Sequence, residues 1–126
     1  MADQMTKLET GRAIRAELLG PDATNPSDCG QAFDATFLEY VTETLWGSLW
    51  VRDGLDRRTR ALLDVAILAA MGKSDGLGVH ARIALRLGCS QRELQEVLMH
   101  VTVLAGSAQG YDAFRYVKAA IGETGR

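Results

Sequence analysis

Residues 61–71 are apolar at ten of eleven positions, with Asp64 the exception. A helix apolar nearly all round buries most of its surface, and this one is too short to cross a membrane. The run therefore predicts a short central helix with the other elements packed around it. A carboxylate inside it needs a partner, and Arg60, one turn earlier, is the nearest candidate.

The remaining pattern is also helical. Leu8, Ala13, Ile14, Leu18 and Leu19 suit one face of a helix over residues 5–19, which Gly20-Pro21 stops. Residues 21–30 turn to Pro, Asp, Asn, Ser and Gly and read as a loop. Over residues 31–50, Phe33, Phe37, Tyr40, Val41 and Leu45 form an apolar stripe that continues toward Trp46 and Leu49. Asp53-Gly54 turns the chain, Asp56 is a plausible N-cap, and Gly72 ends the central helix. Residues 73–78 read as a glycine-rich linker or a loose helical start, after which His80 opens a helix closed by Gly88. Ser90 and Glu93 have the spacing of a capping box for a helix running to Ala105. Gly106 stops that helix, and a last amphipathic one covers residues 108–121. Six helices and no convincing strand make this an all-α domain.

At 126 residues the chain is long enough to bury its own core, and a single domain over 1–126 is expected. Its formal net charge of −2 lacks the basic excess that binding to nucleic acid or a membrane surface requires. No apolar run reaches membrane-span length, and the opening MADQMTKLETGR lacks the apolar core of a signal peptide. The expectation is a cytoplasmic protein, with Cys29 and Cys89 as reduced thiols; their positions make neither a C-x-x-C nor a zinc spacing.

Function-bearing residues concentrate in WGSLWVRDGLDRRTR, residues 46–60, which holds both tryptophans and four arginines. Tryptophan is costly to expose and arginine costly to bury unpaired, so their mixture marks a boundary. That boundary is either the wall of an anion-binding pocket or a subunit interface. Arg52, beside Trp46 and Trp50, suits two-pronged capture of a carboxylate; its plainer use is an ion pair with Glu39, Glu43 or Asp53. Arg57 and Arg58 open a helix, where the dipole disfavours cations, so solvent or a partner's acid is their simplest use. Of the two histidines, His80 near a helix start suits proton transfer, or merely bonds a neighbouring carbonyl. His100, with Glu96 one turn before it, reads as a satisfied interhelical or interface residue. The histidines and Glu96 match no metal-site pattern, and no metal is expected.

These motifs carry a resemblance. WGSLWVRDGLDRRTRALLDVAILAAMG and HARIALRLGCSQRELQEVLMHVTVLAG are similar to two stretches of the carboxymuconolactone decarboxylase family, within the alkylhydroperoxidase-like superfamily of all-helical proteins. LETGRAIRAELLG and the closing DAF also fit, so the likeness covers nearly the whole chain. The resemblance implies a six-helix alkylhydroperoxidase-like bundle assembled as a homo-oligomer, a trimer or hexamer. The superfamily's redox branch would place cysteines at Lys73 and Gly76; with neither thiol present, this chain sides with the decarboxylases.

The implied activity is cofactor-independent decarboxylation of a small carboxylated lactone such as 4-carboxymuconolactone. By resemblance His80 donates the proton, Arg52 clamps a carboxylate, and Trp46 and Trp50 supply apolar walls. Glu39 is the expected orienter of His80 or Arg52, with Arg60 and Glu43 as further substrate-binding positions. Three departures touch the expected pocket border: Gly76 stands where the decarboxylases tend to have glutamate, Gly106-Ser107-Ala108-Gln109 lacks the family's proline, and the 21–30 loop is longer than usual. They leave room for a different lactone or keto acid, for isomerase or hydrolase chemistry, or for a non-catalytic helical oligomer.

Overall fold

Thr6 starts the first helix by accepting a hydrogen bond from the Glu9 backbone while the Glu9 carboxylate accepts one from the Thr6 N–H, a complete capping box. In the computed structural model, which describes residues 5–20 and 32–124, every regular element is helical. They are α1 (Lys7–Leu19), α2 (Ala32–Val41) running directly into a π-helical segment (Thr42–Leu49), α3 (Arg57–Met71), α4 (Ser74–Arg86), α5 (Gln91–Ala105) and α6 (Ser107–Thr124). The all-α reading of the sequence holds, with six helices when the π-helical segment is taken as the continuation of α2. The expected loop over 21–30, with Cys29, lies outside the described residues. None of the helices described is long and apolar enough to cross a membrane.

The chain divides into two compact units, Met1–Gly54 and Leu55–Arg126. In the first, α1 packs on the π-helical segment through two glycines. A Cβ on Gly11 would collide with the Thr42 carbonyl oxygen, and one on Gly47 with the Lys7 carbonyl oxygen. Backbone thus meets backbone, and only glycine permits that approach. The wide winding shows in its hydrogen bonds: the Trp50 N–H donates to the Leu45 carbonyl, and the Ser48 hydroxyl to that of Glu43, each five residues back.

The apolar stripe read over residues 31–50 is exposed at most of its aromatic positions and buried at its Trp46 end. Phe33 is 98% exposed, and Phe37, Tyr40 and Leu49 are also exposed, whereas Thr42, Trp46 and Trp50 are buried. The change from α to π winding at Thr42 alters the turn per residue, so one helical period drawn through 33–49 misassigns the inner face.

In the second unit α3 contacts α4, α5 and α6. It buries Ala61, Val65 and Ala69, four residues apart, yet Leu63, Ile67 and Met71 are 44–62% exposed. The expectation that α3 is enclosed on all sides is therefore corrected: this chain covers one face and leaves an apolar face open. Local signals set the helix ends as read. Asp56 caps α3 through the Thr59 N–H (2.8 Å), and Gly72 ends it in the left-handed conformation (φ 70°). Ser90 and Glu93 form the capping box of α5. Glu93 also takes a bond from Arg58 at 2.9 Å, so the cation disfavoured at the start of α3 finds an acid at the start of α5.

Two predictions follow from this packing. Gly11→Ala should lose about 1–3 kcal/mol in chemical denaturation, the usual scale of overpacking, whereas Gly122→Ala, with open space around it, should cost nothing. The Ser90 N–H, then Arg58, hold the Glu93 carboxyl below the usual carboxylate range. A depressed acid stabilises the fold above its unfolded pKa and loses that contribution as pH falls through the folded one. Glu93→Gln should therefore lower the Tm near neutrality and fall less far below the parent protein as the pH is taken down through the carboxylate range.

Candidate active site

His80 Nδ1 lies 3.0 Å from Asp64 Oδ2, joining α4 to α3. Both atoms are sealed from solvent, and the side chains are only 13% and 21% exposed. The two atoms are within contact distance without the alignment of a formed hydrogen bond; poorly aligned bonds of this kind tighten in a working complex. Two expectations are corrected. Asp64 meets His80, across the helical hairpin, and not Arg60 one turn before it. And α4 begins at Ser74, so His80 lies nearly two turns inside the helix, where the end dipole has faded.

The pairing has a simple geometric origin. Asp64 and His80 each stand eight residues from Gly72, the left-handed turn between two helices joined by a short link. An αα-hairpin brings such positions level. That symmetry about Gly72, together with an acid marooned in an apolar run, was the signal that would have found Asp64 from the sequence. Lys73 caps α4 without a side-chain bond, and Gly76 lies one turn before His80. Gly76 leaves that turn without a side chain, and a Cβ there would make ordinary contact with Leu68 at 3.5 Å.

The other expected residues divide between the two units. Arg60 belongs with His80 in the second, as a buried side chain on α3. The first unit holds Glu39, Glu43, Trp46, Trp50 and Arg52. Trp46 and Trp50 pack tilted, their ring centroids 5.2 Å apart, and both are buried. The Trp50 indole nitrogen is sealed and finds no acceptor among the described residues. Glu43 and Arg52 are exposed. Glu39, expected to orient His80 or Arg52, has Arg12 at 3.6 Å within its own unit, both side chains open to solvent. The carboxylate found beside the histidine is Asp64.

His100 is exposed on α5, where Glu96 and His100 line two grooves. One, of about 390 Å3, runs between α3 and α5 over Leu62, Leu63 and Ala66. A third groove, of about 500 Å3 and not lined by Glu96 or His100, lies between α5 and α6 with Leu94, Leu98 and Val117 in its wall and Arg115 and Lys118 beside them. His80 lines none of these grooves. Cys89 is a buried free thiol, pushed up by burial, and so a poor nucleophile. Among the described residues no group of three or more His, Cys, Asp or Glu side chains is placed to hold a metal ion.

A sealed carboxylate–imidazole pair on adjoining helices, without thiols at Lys73 or Gly76, is equipped for proton transfer and not for dithiol chemistry. Residues 35–119 match the carboxymuconolactone decarboxylase family. The chain is 34% identical over 101 residues to a 4-carboxymuconolactone decarboxylase of Acinetobacter baylyi, covering 79% of this chain and 75% of that one. It is also 30% identical over 106 residues to the nitrosuccinic acid decarboxylase npaB of Metarhizium robertsii, covering 83% and 74%. The protein belongs to the carboxymuconolactone decarboxylase family.

Proposed function

We propose that this chain, a carboxy-lyase by its family and by both relatives, releases CO2 from a small carboxylated lactone such as 4-carboxymuconolactone, without a cofactor and with His80 as general acid. The observation that carries the reading is the sealed contact between His80 and Asp64. In the proposed reaction the bond to the carboxylate breaks and its electrons spread through the unsaturated lactone onto the carbonyl oxygen. The imidazolium Nε2–H then gives its proton to ring carbon, and water re-protonates the neutral ring. The substrate is its own electron sink. Nitrosuccinic acid, named for the Metarhizium relative, likewise has an electron-withdrawing group beside a carboxyl, so one proton donor serves both chemistries.

Arg52 is the proposed carboxylate clamp, with Arg60 and Glu43 as further substrate-binding positions. Trp46 and Trp50 are the proposed apolar wall, a role that requires their buried faces to be uncovered to substrate. Gly76 and the segment Gly106-Ser107-Ala108-Gln109 favour a related lactone or keto acid as the second reading. The activity would serve breakdown of aromatic compounds in the cytoplasm, with residues 1–126 working as one functional domain.

We further propose a homo-oligomer, a trimer or hexamer. Leu63, Ile67 and Met71 on α3 and Met99, Val103 and Leu104 on α5 are exposed apolar side chains on either side of the α3–α5 groove. Monomers rarely expose an apolar face of this kind. Glu96 and His100, one turn apart on it, offer acceptor and donor to the same face of a second copy about a two-fold axis.

Purified protein should release CO2 from 4-carboxymuconolactone, and His80→Ala should cut turnover by about 10²–10⁴, the worth of a general acid. Arg52→Ala should raise KM more than it lowers kcat. Release undiminished in His80→Ala would remove the histidine from the mechanism. No release from folded protein would turn the search to other acids, to ring isomerisation or hydrolysis, or to a non-catalytic role. In light scattering the protein should show a multiple of 13.7 kDa, and Ile67→Asp with Val103→Asp should reduce it. A monomeric parent protein would end the oligomer reading.

A further inference from the structure

We infer that Asp64 is a positioning residue for His80: it keeps a proton on Nδ1, so that Nε2 is the nitrogen that exchanges protons with substrate. The inference rests on the reading of His80 as general acid. Its basis is geometric. Asp64 Oδ2 and His80 Nδ1 face each other at 3.0 Å, and both are sealed from water. A carboxylate oxygen without water must be compensated by a neighbouring donor, and the imidazole N–H is the one at hand. A free neutral imidazole prefers its proton on the other nitrogen, so the contact reverses the intrinsic preference. It also places a counter-charge behind the ring when both nitrogens are protonated, the state from which a general acid works.

The turn of α4 before His80 offers Gly76, which has no side chain, so the acid comes from α3, across the hairpin. Position 76 nevertheless has room: a Cβ there touches only Leu68 side-chain carbons, at 3.5 and 3.6 Å. A glutamate at 76 would stand one turn from His80 on the same face, within side-chain reach. The device is therefore transferable. A carboxylate removed from α3 can be returned from α4, which a merely structural role for Asp64 would not allow.

The test reads the tautomer directly. With ¹⁵N-labelled imidazoles, at a pH where both rings are neutral, the two histidines are told apart by His100→Gln. The parent protein should show His80 protonated on Nδ1, and Asp64→Ala should move the proton to Nε2. Turnover in Asp64→Ala should fall by roughly 10- to 100-fold at nearly unchanged KM, the scale seen when the outer partner of a functional histidine is removed. Asp64→Ala with Gly76→Glu should regain the Nδ1 tautomer and most of the turnover. Should Asp64→Ala fold poorly, Asp64→Asn keeps the shape without the charge and should still lower kcat at constant KM. An unchanged tautomer and rate in Asp64→Ala, with activity still lost in His80→Ala, would overturn the inference and leave the proposed function standing. A tautomer that switches in a protein whose CO2 release ignores His80→Ala would uphold the pairing and overturn the histidine mechanism.

Discussion

The second unit depends on a seam of small side chains. Ala61, Val65 and Ala69 recur every four residues on α3 and are essentially inaccessible to solvent. Small residues in register let neighbouring helices approach closely, and α4, α5 and α6 all contact α3. The close approach of α4 has a chemical consequence. Asp64 and Val65 are neighbours on α3, and with the latter locked in the seam the former is carried against α4 at His80. A carboxylate that would be expensive in an apolar run becomes part of a compensated pair.

The proposed chemistry rests on that pair. Dithiol reduction has no thiols at Lys73 and Gly76, and Cys89 is buried with its thiol held protonated by desolvation. A shielded imidazole with a carboxylate behind it suits delivery of one proton to a carbanion, the single demand that decarboxylation makes once the substrate can delocalise the electron pair. Family membership and the two decarboxylase relatives give the reaction class, a carboxy-lyase.

The first unit solves a different problem. Two glycines let α1 and the π-helical segment meet backbone to backbone, and Trp46 and Trp50 fill the space beside that crossing as a tilted pair. The price of the π winding is a helix whose aromatic stripe, Phe33, Phe37 and Tyr40, faces outward. With Leu63, Ile67 and Met71 in the second unit, each unit presents apolar side chains that this chain leaves uncovered, as assembly with further copies would require.

The sequence by itself determined that the chain is helical and where most of the helices end. Asp56, Gly72, Ser90 with Glu93, and Gly106 act through bonds and backbone angles spanning a few residues, so their meaning does not depend on the rest of the fold. The motifs of residues 46–60 and 80–106 also held enough information to identify the family. Tertiary structure decided which faces are inside and which charges meet. It turned the stripe of α2 outward through a change of helical winding, opened one face of α3, extended α4 back to Ser74 so that His80 lies well inside it, and set Asp64 beside the histidine. Those outcomes depend on distances between residues far apart in the chain, and periodicity along one helix does not contain them.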